Sequence, residues 1–185
     1  YYMIGLPGET MEDVQAILDA GKRVLAIGRQ LRGNRVKVHL SVGNFIPKPH
    51  TPFQWYPLNS TEKLQAKLDL LKEGTRRSGL KLSYNIPDST LLEAWLSRGD
   101  RRLGQVILRA WQLGAKFDAW GENENKPIWQ QAFTEIGLDP DFYAYRERAL
   151  DETLPWDHIH TGVTKVFLLR DLEWSKQGKT RKDCR

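Results

Sequence analysis

The chain has 185 residues, a formal net charge of +5, 40% hydrophobic and 28% charged residues. That is enough for one folded domain with a real core, or one domain plus an extension, and it excludes a low-complexity or disordered chain. No apolar run approaches the roughly 18 residues a membrane span needs, so no membrane partner is expected. The single cysteine, Cys184, excludes an internal disulfide framework and fits a reducing compartment, so a cytoplasmic location is expected.

The first residues, YYMIGLPGET, read as an apolar strand entering a tight Leu6-Pro7-Gly8 turn. A core element at the very start leads us to expect a piece of a longer protein, with further strands before Tyr1. The strand would then have an unpaired edge, open to self-association. Thr10 is placed to cap a helix, with Glu12 and Asp13 at its positive end and Gly33 as its stop. Val14, Ile17, Leu18, Gly21, Val24, Leu25, Gly28 and Leu31 follow helical spacing. A second strand is predicted over 36–46 and a proline-rich loop over 47–57. Asn59 with Glu62 suggests the cap of a second helix carrying Leu64, Leu68 and Leu71, and residues 80–84 a third strand. Alternating strands and helices predict an α/β fold with parallel crossovers.

From Asp88 the pattern changes to short helices, over 88–96, 100–113, 127–136 and about 142–148. The boundary is placed near Pro87, giving segments 1–87 and 88–185. Six of the seven tryptophans lie in the second segment, and Trp55 alone lies in the first. They are expected to cement a helical layer.

Parallel sheets bind ligands at the carboxyl ends of their strands, so the turns 5–10 and 43–51 are the places to look for chemistry. Gly5 and Gly8 permit positive φ or close approach of a ligand. Read by themselves, these turns are better explained as ordinary strand-to-helix connections, because a Gly-Leu-Pro-Gly turn is not specific.

Taken together, YYMIGLPGET, SVGNFIPKPHTPFQW and LKLSYNIPDS resemble the fourth, fifth and sixth strands of a radical S-adenosylmethionine (SAM) enzyme barrel. The subgroup is one whose full-length members carry an upstream cobalamin-binding-like region. LSRGDRRLG, GAKFDAW, LPWDHIHTGV and the closing DCR resemble a C-terminal region of one poorly characterised branch. The resemblance implies the last three strands of a partial (β/α) TIM-like barrel, followed by a mainly helical extension with a basic tail. It implies an enzyme that reductively cleaves SAM with a 4Fe-4S cluster to start radical chemistry on a substrate that the sequence does not name.

Carried over residue by residue, the resemblance places Met3 and Gly5 beside the SAM ribose, and Asn44, Phe45 and Ile46 against the adenine. The family's three cluster cysteines fall in a loop this sequence does not contain, so the chain alone is expected to be inactive. Cys184 resembles the first member of a truncated metal or cluster motif. The stretch Gly121 to Lys126 departs from the histidine-containing stretch expected there.

Other groups carry weaker signals. Arg98-Gly99-Asp100 spells an adhesion tripeptide, but Gly99 reads as a helix break and Asp100 as the next cap. Asp118, Glu122 and Glu124 could supply carboxylates for acid–base work or cation binding, or lie in a solvated loop. His158 and His160, two apart, would project to one side of an extended segment and could ligate a metal, with no third ligand in sight. Basic residues at Arg76 and Arg77, Arg98 to Arg102 and Lys176 to Arg185 could grip phosphates. That keeps a nucleic-acid or protein-partner binding module as the alternative; solvated helix ends explain the same charges.

Overall fold

The computed structural model describes residues 1–118 and 125–180. The chain divides into two compact units, one built from Tyr1–Ile46 and Leu58–Leu92, the other from Pro47–Pro57 and Glu93–Arg185. The first unit is the α/β part. Its strands β1 (Tyr2–Ile4), β2 (Val38–Asn44) and β3 (Leu80–Tyr84) form a parallel sheet in the order β1-β2-β3. Helix α1 (Met11–Arg32) connects the first pair and α2 (Thr61–Thr75) lies between the second.

Helix α1 starts where the sequence places its cap. Thr10 Oγ1 accepts the Asp13 N–H, and the Asp13 carboxylate accepts the Thr10 N–H at 2.8 Å, a reciprocal capping box. These bonds hold the Asp13 carboxyl below its ordinary pKa. The α2 cap differs from the expectation. Ser60 accepts the Lys63 N–H, because the Asn59 amide is engaged at Gly5 instead.

The core of this unit joins Ile4, Leu40, Val42 and Leu80 of the sheet to Val14, Leu18 and Leu25 of α1 and Leu64, Leu68 and Leu71 of α2. The opposite face of the sheet carries Met3, His39, Ser41, Gly43, Lys81 and Ser83, all half-buried or exposed. Register pairs them as Met3 with Gly43, His39 with Lys81 and Ser41 with Ser83. Parallel sheets usually bury both faces and read as continuous apolar runs. This one has a helix-covered face and a polar, small-residue face.

The second unit is helical. It contains the end of α3 (Pro87–Arg98), α4 (Leu103–Gln112), α5 (Lys126–Ile136), the short α6 (Pro140–Ala144) and α7 (Lys165–Lys176). Trp55, Leu154, Trp156, Leu168 and Leu172 form one cluster, and Trp95 meets Phe133 edge to face at 5.1 Å between ring centres. Trp111, by contrast, is exposed, and Trp120 lies outside the described residues.

Arg98 is a hub of this unit and is fully buried. Its guanidinium donates to the carbonyls of Tyr143 at 2.8 Å, Tyr56 at 2.6 Å, Arg146 at 2.9 Å and Gln54 at 3.4 Å. Burial, with repulsion from Arg148 and Arg146, lowers its pKa to about 10. Arg148 is also buried, donating to the Arg98 carbonyl and stacking 4.8 Å from the Trp156 ring centre. No helix of the described residues is long and apolar enough to cross a membrane.

Candidate functional site

Parallel register brings the three strand ends to one edge. Ile4 pairs with Asn44, Val42 pairs with Tyr84, and the Phe45 N–H donates to the Ile4 carbonyl at 2.8 Å. The same edge carries the amino ends of α1 and α2, where unpaired N–H groups gather. Met3, Gly5, Asn44 and Phe45 are therefore neighbours at the carboxyl edge, with Met3 exposed and Ile46 buried just beyond.

Gly5 takes φ 90°, which favours glycine. A Cβ there would stand 2.8 Å from Leu64 Cδ2. Its backbone is also engaged: the N–H donates to Glu9 Oε2 at 2.8 Å and the carbonyl accepts from Asn59 Nδ2 at 2.8 Å. Gly5 is thus a packing position as well as a rim position. Gly8, at φ 80°, is open: a Cβ there would meet nothing within 4 Å.

Glu9 and Lys67 are a buried ion pair beside the carboxyl edge that sequence reasoning missed. Lys67 Nζ reaches Glu9 Oε2 at 2.6 Å, with side chains 8% and 7% exposed, respectively. A signal was present: Lys67 falls between Leu64 and Leu71 on the inward stripe of α2, and a cation on an apolar stripe calls for a partner. The shared Glu9 carboxylate ties the turn after β1 to α2.

Asn44 donates from Nδ2 to the Thr90 hydroxyl at 2.7 Å and to the Asn85 carbonyl at 3.2 Å. Its Oδ1 is buried and accepts from no group among the described residues. A buried acceptor without a donor carries a desolvation penalty, and this one stands at the strand end where a ligand would sit.

The remaining candidates separate. His158 and His160 do not converge: His158 lines a cavity of about 790 Å³ with Trp156 and Ser97, and His160 lines a different one of about 400 Å³. Among the described residues no group of three or more His, Cys, Asp or Glu side chains could hold a metal ion. Cys184 and residues 121–124 of the stretch from Gly121 to Lys126, Glu122 and Glu124 among them, lie outside the described residues, while Asn125 caps α5 and Lys126 begins it. Asp118 is described, and its Oδ1 is buried with no partner among the described residues. Arg98 is interior, so the adhesion tripeptide is not presented and the Arg98–Arg102 run is not a continuous surface. Arg102 is drawn to Asp100 at 2.7 Å and exposed Arg76 to Glu73 at 3.0 Å.

No family model matches the chain, and no solved structure matches it. The chain is similar to an uncharacterized protein of Methanocaldococcus jannaschii, 30% identical over 107 residues. That match covers 58% of this chain and 22% of the relative, so the chain spans well under two thirds of the relative's length.

Proposed function

We propose that the first unit is the closing part of a radical SAM (β/α) barrel, with the carboxyl edge of its sheet forming one wall of the SAM pocket. The observation that carries this reading is the register: the three segments that resemble the family's fourth, fifth and sixth strands lie side by side, parallel and in that order. The polar face of the sheet supports it, since a barrel interior that holds a polar cofactor needs side chains other than packed aliphatics. A third support is the outer flank of α1. Leu18 packs toward Gly74 of α2, while Val24, Ile27 and Leu31 are exposed and lie about 120–180° around the helix from it at 100° per residue. An apolar flank turned away from α2 suits a preceding strand–helix unit.

SAM fits the residues present. Asn44 Oδ1 would accept from the adenine amino group, Phe45 and Ile46 would pack on the ring, and Met3 and Gly5 would border the ribose by van der Waals contact. Bound SAM would supply the radical precursor, and the chain's own residues orient it and keep water from that wall. The described residues do not offer a ligand set for a cluster, so those ligands would come from elsewhere in a longer protein. The binding-module alternative keeps Arg77 and Arg101 on its surface and loses Arg98 to the interior.

The test uses the longer protein that carries this segment, reconstituted anaerobically with iron and sulfide. It should convert SAM to 5′-deoxyadenosine and methionine under reducing conditions, and Asn44→Trp should slow that conversion by at least about tenfold. Gly5→Val is a poor probe because it would disturb the Leu64 contact. A folded parent with an intact cluster that leaves SAM uncleaved would overturn the reading.

A further inference from the structure

The Arg148 N–H donates to the Trp55 carbonyl at 2.8 Å, which holds these two residues side by side in the second unit. Arg148 is 3% exposed and Trp55 1%. Of the Arg148 guanidinium, Nη2 donates to the Arg98 carbonyl, whereas Nε and Nη1 are buried with no partner among the described residues. The Trp55 indole Nε1 is likewise buried and without a partner. Guanidinium and indole nitrogens can only donate, so all three unused groups call for an acceptor. Buried donors left unpaired carry a desolvation penalty.

The Arg148 charge is unpaired as well. No carboxylate among the described residues forms an ion pair with it: Glu152 is held by Arg146 and Asp100 by Arg102. Burial, and then repulsion from Arg146, lowers the Arg148 pKa. The Trp156 ring, 4.8 Å away, offers a cation–π contact and no counter-charge. A buried cation without a counter-ion is strongly unfavourable.

Arg148 and Trp55 both line a cavity of about 390 Å³, with Tyr56, Leu150 and Leu172 as apolar walls. Lys176, exposed in the last turn of α7, and the exposed Glu147 line it too. Two cations against one carboxylate leave a single positive charge to balance. We propose that this cavity binds a small monocarboxylic acid with an apolar body, its carboxylate against Arg148 and Trp55. The two carboxylate oxygens suit a guanidinium N–H and the indole N–H, and the aromatic and aliphatic walls take the body. A phosphate dianion would exceed the free charge and leave those walls uncovered. All the groups involved belong to the second unit, so the site stands independently of the SAM reading.

The probes are phenylacetate, its neutral analogue phenylacetamide and inorganic phosphate, titrated into the whole chain by calorimetry at matched ionic strength. Phenylacetate should bind saturably and at least about tenfold more tightly than either of the others. Arg148→Met removes the guanidinium and should abolish that binding. Leu150→Trp fills the cavity from an exposed position, should fold normally and should weaken phenylacetate by at least about tenfold. It decides the matter if Arg148→Met does not fold. Lys176→Gln, also at an exposed position, should weaken binding several-fold. Absence of saturable phenylacetate binding, equal affinity for phenylacetamide or phosphate, or unchanged affinity in the folded variants would each overturn the proposal.

Discussion

Lys67 Nζ sits 2.6 Å from Glu9 Oε2, with both side chains more than nine-tenths buried. The same oxygen accepts the Gly5 N–H at 2.8 Å. One carboxylate therefore fixes the turn after β1 and neutralises the only charge on the inward stripe of α2 running from Leu64 to Leu71.

Removing one partner should be far worse than removing both. Lys67→Met is expected to destabilise the chain by about 3–5 kcal/mol, because it strands the Glu9 charge in the interior. The double variant Glu9→Gln with Lys67→Met should recover a good part of that loss. Urea unfolding of the two singles and the double closes the cycle, and strictly additive losses would show that the pair is not coupled.

Gly5→Ala and Gly8→Ala separate backbone strain from packing. Both positions have positive φ, so each should lose about 1–2 kcal/mol from conformation alone. Only at Gly5 does the added methyl meet a core side chain, Leu64, so Gly5→Ala should cost at least about 1 kcal/mol more. Equal losses in denaturant titrations would contradict the packing account.

Arg98→Met should be among the most damaging single changes in the second unit. It leaves the carbonyls of Tyr56, Tyr143 and Arg146 without their donor in a buried setting. A loss of about 3–5 kcal/mol is expected. Arg98→Lys should rescue only a minor part, because an ammonium cannot reproduce the forked geometry. Near-complete rescue by lysine would show that charge alone matters.

The Arg146–Glu152 pair, with contacts at 2.8 and 2.6 Å, sets an acid limit. The hydrogen bonds from Arg146 hold the Glu152 carboxyl below its ordinary value of 4.5. A carboxyl lowered in the fold contributes stability above the unfolded value and loses it as pH falls through the folded one. The unfolding midpoint should therefore drop as pH falls below 4.5, and Glu152→Gln should flatten that drop. An unchanged slope in the variant would remove the pair from the account.

Self-association is expected where β1 pairs on one side only among the described residues and where Val24, Ile27 and Leu31 are exposed on α1. Val24→Lys with Ile27→Lys should reduce it without lowering the unfolding midpoint by more than about 0.5 kcal/mol equivalent. Sedimentation velocity over a concentration series makes the comparison, and association unaffected by the substitutions would place the contact elsewhere.

Much of the first unit was legible because its signals are local. The Thr10 cap, the Gly33 stop and the alternation through Val38, Leu40 and Val42 depend on near neighbours, and helix α1 and β3 fall where they are expected. Long-range bonds override local rules elsewhere. Asn59 gives its amide to Gly5 and yields the α2 cap to Ser60. A local bond does the same at α4, where Asp100 takes Arg102 two residues on and the helix begins at Leu103 without a side-chain cap. Helix α7 is missed because its buried residues, Leu168 and Leu172, are too few to show a period among alternating charges. The edge residues Met3, Gly5, Asn44 and Phe45 come together through strand register, but the acceptors of Arg98 are backbone carbonyls, which leave no trace in side-chain identity.

The excursion of Pro47–Pro57 into the second unit has a consequence for synthesis order. Trp55 and Gln54 leave the ribosome long before Leu154, Trp156 and Leu168, the residues they join. The first unit can close its own core once Tyr84 has emerged, while this loop hangs from it unmatched until more than 80 further residues follow. The nascent chain must therefore carry an exposed tryptophan on a folded base, and the second unit cannot be inherited, exchanged or excised as one continuous stretch of gene.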